Sequence, residues 1–113
     1  RYITENGLMA AVRATFREGS PESEDEVVTG FAGCSLLIID DLCKYEAADP
    51  RFRNRILFEI IDRLWGAEAR LVLTSNYDIP ALTQMLGAPI VDRIRDMCVV
   101  VEMAGKSQRG KPS

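Results

Sequence analysis

The chain has 113 residues, of which 47% are apolar and 27% are charged, a balance typical of one modest globular domain. Its formal net charge of −3 gives no overall attraction for nucleic acid, so such a contact would need a local basic patch. The sequence contains no histidine and three cysteines without a Cys-x-x-Cys spacing, which excludes Cys/His zinc sites and Ser-His-Asp or Cys-His catalysis.

Cysteine usage and hydropathy together predict a location. A sparse, odd number of cysteines is typical of a reducing compartment. No apolar run approaches the roughly eighteen residues of a membrane span, and no signal peptide opens the sequence. We therefore expect a cytoplasmic protein without a membrane segment. The sequence begins with Arg1 and not with methionine, so we also expect a fragment of a longer protein.

The first third of the chain predicts a helix and an acidic loop. Asn6 is placed to cap a helix over about 7–17, whose apolar residues fall on one face. The stretch EGSPESEDE, residues 18–26, carries five acids and no base and predicts a solvated loop. The following VVTGFAG predicts a short helical turn, and the opening RYI fits the end of a strand.

The stretch SLLIIDDLC, residues 35–43, joins an apolar run to two adjacent aspartates. Residues 35–40 have the length of a strand and are apolar on both faces, which predicts an interior strand of a parallel sheet. Asp40 and Asp41 follow at its end. Neighbouring carboxylates repel each other and resist desolvation, so they either lie in a polar loop or hold a cation and a water.

A long helix and a second strand come next. Asp49 and Pro50 mark a helix start, because an aspartate caps the end and proline fits the first helical position. Apolar residues then recur every four positions, and Gly66 is expected to end the helix. The stretch ARLVLTSN, residues 69–76, predicts a strand that ends in small polar residues.

Two short helices and a third long strand complete the pattern. The first helix is expected to open at Asp78 and to close at Gly87. The second is expected to run from Pro89 to about Met97. The apolar stretch CVVVEM, residues 98–103, predicts a strand.

Alternating strands and helices predict an α/β fold with a parallel sheet and with helices on both of its faces. In such sheets, ligands bind at the carboxyl ends of the strands. Asp40 and Asp41 end one predicted strand, and Thr74, Ser75 and Asn76 end the next. We therefore expect an active edge where these polar residues meet.

Four stretches, in order, resemble motifs of AAA+ ATPases. LLIIDDLC resembles the Walker B motif, LVLTSN the sensor 1 strand, VDRIRD the arginine-finger segment and KSQR a late Ser-x-Arg. The closer resemblance is to the DnaC/DnaI helicase loaders and the IstB-like ATPases, and it covers about residues 1–110. It implies a partial AAA+ P-loop NTPase core, a three-layer αβα fold, with residues 1–113 as the C-terminal portion of one ATPase domain.

The resemblance implies roles for the residues at the active edge. Asp40 resembles the Walker B aspartate, which holds Mg²⁺ while the ion bridges the phosphates of ATP. Asp41 stands where most AAA+ proteins carry the glutamate that orients the attacking water. Asn76 resembles the sensor 1 residue near the γ-phosphate, a role that Ser75 could share in binding the nucleotide.

Arginines late in the chain match two further positions. Arg93 resembles the arginine finger that enters a neighbouring subunit's nucleotide site, which implies a homo-oligomer with ATP at its interfaces. Arg95 is the other candidate, and a surface ion pair of Arg93 with Asp92 or Asp96 is the structural alternative. Arg109 matches the arginine of the late Ser-x-Arg motif, a second sensor facing the nucleotide.

The sequence departs from the family pattern in two places. A P-loop of the form GxxxxGK[ST] does not occur in it, so we expect that segment upstream of Arg1 and expect the fragment alone to be inactive. Cys43 replaces the usual glycine after the Walker B turn, a change that we interpret as neutral. The cluster of Arg51, Arg53 and Arg55 is either a solvated helix start or a contact for single-stranded DNA.

The resemblance implies an ATP-hydrolysing helicase loader that acts in DNA replication on a replicative helicase and single-stranded DNA. One alternative is an IstB-like transposition helper that acts on a transposase, and another is a non-catalytic interaction module.

A response-regulator receiver also ends a strand in Asp-Asp, but it needs a further aspartate and a lysine after later strands. Here the next strand ends in Thr-Ser-Asn, and no lysine follows CVVVEM until Lys106.

Overall fold

The computed structural model describes residues 1–99 and Val101. Within this part of the chain, strands and helices alternate as the sequence predicts. The elements are β1 (Tyr2–Thr4), α1 (Glu5–Arg13), a 3₁₀ turn (Ala14–Phe16), α2 (Glu24–Ala32), β2 (Leu36–Leu42), α3 (Pro50–Gly66), β3 (Arg70–Ser75), α4 (Ile79–Leu86) and α5 (Ala88–Met97).

The three described strands form one parallel sheet in the order β1-β2-β3. Thr4 pairs in register with Asp40, and Leu42 pairs with Ser75, so the carboxyl ends of all three strands meet at one edge. Helices flank this sheet, which confirms the predicted α/β class and is consistent with a partial P-loop NTPase core. The central strand, β2, is the one that carries the two aspartates.

The two faces of the sheet are buried to different extents. Leu37 and Ile39 of β2 are fully buried in the core that the helices share with the sheet. On the opposite face, Tyr2 is 59% exposed and Val72 is 44% exposed. Because side chains alternate along a strand, Asp40 lies on the more exposed face and is reachable by solutes.

Helix boundaries in the second half of the chain follow the predicted capping residues. The side chain of Asp49 accepts a hydrogen bond from the N–H of Phe52, and α3 begins at Pro50. Asp78 caps α4 in the same way. Gly87 ends α4 with a φ of 95°, a conformation that glycine adopts without a steric penalty.

The first half of the chain differs from the predictions. The first helix begins at Glu5 and not at residue 7, because Thr4 and not Asn6 caps it by accepting the N–H of Gly7. The loop predicted over 18–26 was wrong at its end, where Ser23 and Glu26 form a reciprocal capping box that opens α2.

The strand predicted over 98–103 is not observed at Cys98, Val99 or Val101. Cys98 instead caps the end of α5, and its thiol contacts the carbonyl oxygen of Leu71 at 3.3 Å. The remaining residues of that stretch lie outside the described residues. No helix in the described part of the chain combines the length and the hydropathy that crossing a bilayer requires.

Candidate functional site

The carboxyl end of β2 continues into a turn, residues 41–44, with unusual backbone geometry. Asp41 has a φ of 60° and Cys43 a φ of 62°, which places two non-glycine residues in the left-handed region. The pairing of β2 with β3 shifts register between Ile39 and Leu42. Such irregularities re-aim side chains and are common beside active sites. The replacement of glycine by Cys43 is therefore not conformationally neutral, which corrects the interpretation from sequence.

Two hydroxyl groups from the neighbouring strands hold Asp40. The hydroxyl of Thr74 on β3 donates to one carboxylate oxygen, and the phenol of Tyr2 on β1 donates to the other at 2.6 Å. These two hydrogen bonds, that from Thr74 foremost, hold the pKa of Asp40 below its usual range. Asp40 is thus a charged carboxylate of defined orientation, as a ligand of a divalent cation must be.

Thr74 also connects the two aspartates. Its hydroxyl oxygen accepts a hydrogen bond of 2.9 Å from the backbone N–H of Asp41. The carboxylate of Asp41 is half-buried and lies 3.7 Å from the ammonium of Lys44. One threonine therefore fixes the side chain of Asp40 and the backbone of Asp41 at the same time.

The polar end of β3 reaches the same edge. Asn76 is exposed and directly follows Ser75, the last residue of β3. The hydroxyl of Ser75 donates to the carbonyl of Leu42 at 3.0 Å and accepts from the N–H of Tyr77 at 3.1 Å. Ser75 thus joins the ends of β2 and β3. The side chain of Asn76 takes no part in these two hydrogen bonds.

Arg93 lies on α5 and packs against the far end of α3. Its Nε donates to Asp62 at 3.1 Å, and its guanidinium stacks on Trp65 at 3.9 Å from the ring centroid. The structural alternative, a surface ion pair, is thus formed with Asp62 and not with Asp92 or Asp96; Asp96 accepts a hydrogen bond from the Trp65 indole.

The position of Arg93 separates it from the acidic pair of the same chain. Asp62 is twelve residues beyond Pro50, or roughly 18 Å along the helix axis. Arg95 is exposed near the end of α5. The structure therefore brings Asp40, Asp41, Ser75 and Asn76 to one edge and does not bring Arg93 to it. Arg109 lies outside the described residues.

The arginine cluster at the start of α3 does not form one surface. Arg53 is 5% exposed and donates to the carbonyl of Met85 and to the side chain of Asn54, both at 3.0 Å. Arg55 makes a bidentate ion pair with Glu24 at 2.7 and 3.2 Å. Arg51 is exposed. The prediction of a solvated helix start was thus wrong for Arg53, which anchors the end of α4.

The donor set fits a hydrated magnesium ion. Within residues 1–99 and Val101, no group of three or more His, Cys, Asp or Glu side chains converges as a protein-only metal site would. The edge offers two adjacent carboxylates with an amide nearby. Mg²⁺ commonly keeps several waters and takes only one or two carboxylates from the protein, so this sparse set suits a hydrated Mg²⁺ ion.

Sequence reasoning missed three contributors to this site: Tyr2, Lys44 and Glu5. Tyr2 reaches Asp40 only because β1 pairs with β2 in the observed register. Glu5 accepts the backbone N–H of Cys43 at 2.8 Å from a buried position. Neither contact has a local sequence signal. Lys44 is the exception, because a lysine three residues after Asp41 could have been noticed.

Comparisons with known proteins point to one group of relatives. The chain is 27% identical over 93 residues to the replicative helicase loader DnaC of Escherichia coli K12, a match that covers 82% of this chain. The same protein of Shigella flexneri matches at 27%, and that of Buchnera aphidicola subsp. Baizongia pistaciae at 26%. No protein-family model matches the chain.

The aligned region accounts for only part of these relatives. It spans 37% of the length of each of the three relatives named above. These matches support a place for the chain in the DnaC-like family, which agrees with the resemblance carried by its motifs.

Proposed function

We propose that this chain is the C-terminal part of an ATP-hydrolysing AAA+ protein that loads or remodels a replicative helicase on DNA. The observation that carries the proposal is the shared edge of β2 and β3. There the hydroxyls of Thr74 and Tyr2 orient Asp40, and Asn76 directly follows the adjacent strand. The similarity to DnaC supports the helicase as the partner.

Each residue at this edge has a chemical task in the proposal. Asp40 binds Mg²⁺ through its oriented carboxylate, directly or through water, and the ion supplies charge neutralisation at the phosphates of ATP. Asp41 accepts a hydrogen bond from the attacking water and aligns it with the γ-phosphate. Asn76 donates to a phosphate oxygen and accepts from the same water, because an amide carries both a donor and an acceptor.

The remaining parts of the proposed machinery come from outside this edge. The P-loop that cradles the phosphates is expected in the upstream part of the protein. Asp62 and Trp65 hold Arg93 against the far end of α3, which is compatible with action on a neighbouring subunit's nucleotide. The proposal therefore includes a homo-oligomer with ATP at its subunit interfaces, acting on single-stranded DNA in the cytoplasm.

A loading assay tests this function. The full-length protein is mixed with the replicative helicase of the same organism, ATP, Mg²⁺ and circular single-stranded DNA, and helicase retained on the DNA is measured. We expect retention to depend on the protein and ATP hydrolysis to accompany it. A protein that binds the helicase without hydrolysing ATP would indicate an interaction module, and binding to a transposase instead would indicate the IstB-like alternative.

A further inference from the structure

The turn that carries Asp41 is held by hydrogen bonds from two different parts of the fold. Thr74 and Ser75 of β3 supply two of them, as described above. The third joins the N–H of Cys43 to a carboxylate oxygen of Glu5 at 2.8 Å. This third contact is the buried one, since Glu5 is 7% exposed and Cys43 is 4% exposed.

A buried carboxylate at this place needs compensating contacts. Charged groups are costly to bury unless they are paired or hydrogen-bonded. Glu5 is the first residue of α1, where the helix dipole favours a negative charge. The N–H of Cys43 would in turn be a buried donor without an acceptor if Glu5 were absent. The contact therefore gives the buried carboxylate of Glu5 a donor and the buried N–H of Cys43 an acceptor, although the two residues are 38 apart in the sequence.

The conformation of the turn makes this support necessary. Asp41 and Cys43 both have left-handed φ values, which non-glycine residues hold only when the surrounding structure imposes them. Loss of the hydrogen bond to Cys43 would let the turn relax toward ordinary backbone angles. Because Asp41 lies two residues earlier, its carboxylate would then lose its fixed direction.

The thiol of Cys43 offers no competing explanation for the arrangement. Burial raises the pKa of this thiol, and nearby Glu5 raises it further against the opposing effect of Arg53. A buried neutral thiol packs as a small apolar group and does not act as a nucleophile. Cys43 therefore contributes to the site through its backbone N–H.

We propose that Glu5 is a positioning residue for the proposed ATPase, which fixes the turn through Cys43 and so aims Asp41 at the attacking water. The inference rests on the proposed function. It goes beyond the family motifs, because Glu5 lies at the junction of β1 and α1 and belongs to none of them.

Kinetics of three variants of the full-length protein test the proposal. We expect Glu5→Ala to lower kcat about tenfold or more with little change in KM for ATP, because Asp41 acts on the water and not on nucleotide binding. Glu5→Gln keeps an acceptor oxygen and should restore most of the activity. Val12→Ala removes buried methyl groups from the same helix and serves as the control for general destabilisation.

Hydrogen exchange gives a second readout that does not need ATP turnover. Protection of the Cys43 amide should fall about tenfold or more in Glu5→Ala and remain in Glu5→Gln and Val12→Ala. Unchanged protection of the Cys43 amide in Glu5→Ala would contradict its hydrogen bond to Glu5. Lost protection with normal kcat, or equal losses of kcat in Glu5→Ala and Val12→Ala at matched stability, would overturn the positioning role.

The two proposals fail in different ways. A wild-type full-length protein that hydrolyses no ATP would contradict the proposed function and the catalytic role of Glu5 with it. An active wild type with a fully active Glu5→Ala variant would contradict the role of Glu5 alone.

Discussion

Asp41→Asn in the full-length protein will lower ATP turnover by about a hundredfold or more while ATP remains bound. Asparagine has the shape of aspartate but accepts hydrogen bonds weakly and carries no charge, so it no longer polarises the attacking water. The backbone of the turn is retained, since asparagine tolerates the φ of 60° at this residue. Single-turnover hydrolysis and nucleotide retention on the purified protein measure the two effects separately.

Asp78→Asn is the matched control for this variant. Asp78 follows β3 near the same edge and caps α4, a task that asparagine performs equally well. We expect normal turnover from it. Normal turnover in Asp41→Asn as well would remove Asp41 from the mechanism.

Arg93→Ala will abolish the turnover that depends on assembly, with a loss of about a thousandfold, and will leave ATP binding by the single subunit unchanged. The reason is geometric. Arg93 is anchored through Nε and through its stacked face, which leaves its terminal nitrogens to meet phosphoryl oxygens of a neighbouring subunit. Arg95→Ala removes the other candidate and should have a small effect.

Mixed oligomers decide whether Arg93 acts between subunits. Subunits with Arg93→Ala keep an intact Asp41, and subunits with Asp41→Asn keep an intact Arg93. Mixing the two inactive variants should restore part of the turnover, because some interfaces then combine both intact residues. No recovery on mixing would place the arginine finger elsewhere. Asp62→Ala, which removes the hydrogen-bond partner of Arg93 and keeps the guanidinium, controls for loss of packing between α3 and α5.

The parts of the fold that the sequence predicted correctly are those governed by adjacent residues. Asp49 and Pro50 define the start of α3, and Gly87 defines the end of α4, because capping and backbone angles are local properties. The helix α2 was missed although Ser23 and Glu26 have capping-box spacing, because the surrounding acids were interpreted as a solvated loop. Those acids instead lie in the first turn of α2, where negative charge stabilises the positive end of the helix dipole.

Contacts within the site depend on strand register and could not be predicted in the same way. The meeting of the aspartates with the end of β3 followed from the parallel α/β pattern. The hydrogen bonds from Tyr2 to Asp40 and from Cys43 to Glu5 each join residues 38 apart in the sequence. Only the paired strands bring them together. The burial of Arg53 is likewise a tertiary property, since its contact with the carbonyl of Met85 joins residues 32 apart in the sequence.

We propose that one hydrated ion and the terminal phosphate of ATP share the edge where Asp40 and Asn76 emerge. Crystals of the full-length protein grown with Mn²⁺ and a slowly hydrolysed ATP analogue would locate the ion by its anomalous scattering. We expect a metal peak within about 5 Å of the Asp40 carboxylate, a distance that allows one bridging water. We also expect the Asn76 amide to contact the γ-phosphate. A metal and nucleotide bound at any other edge of the sheet would contradict this arrangement.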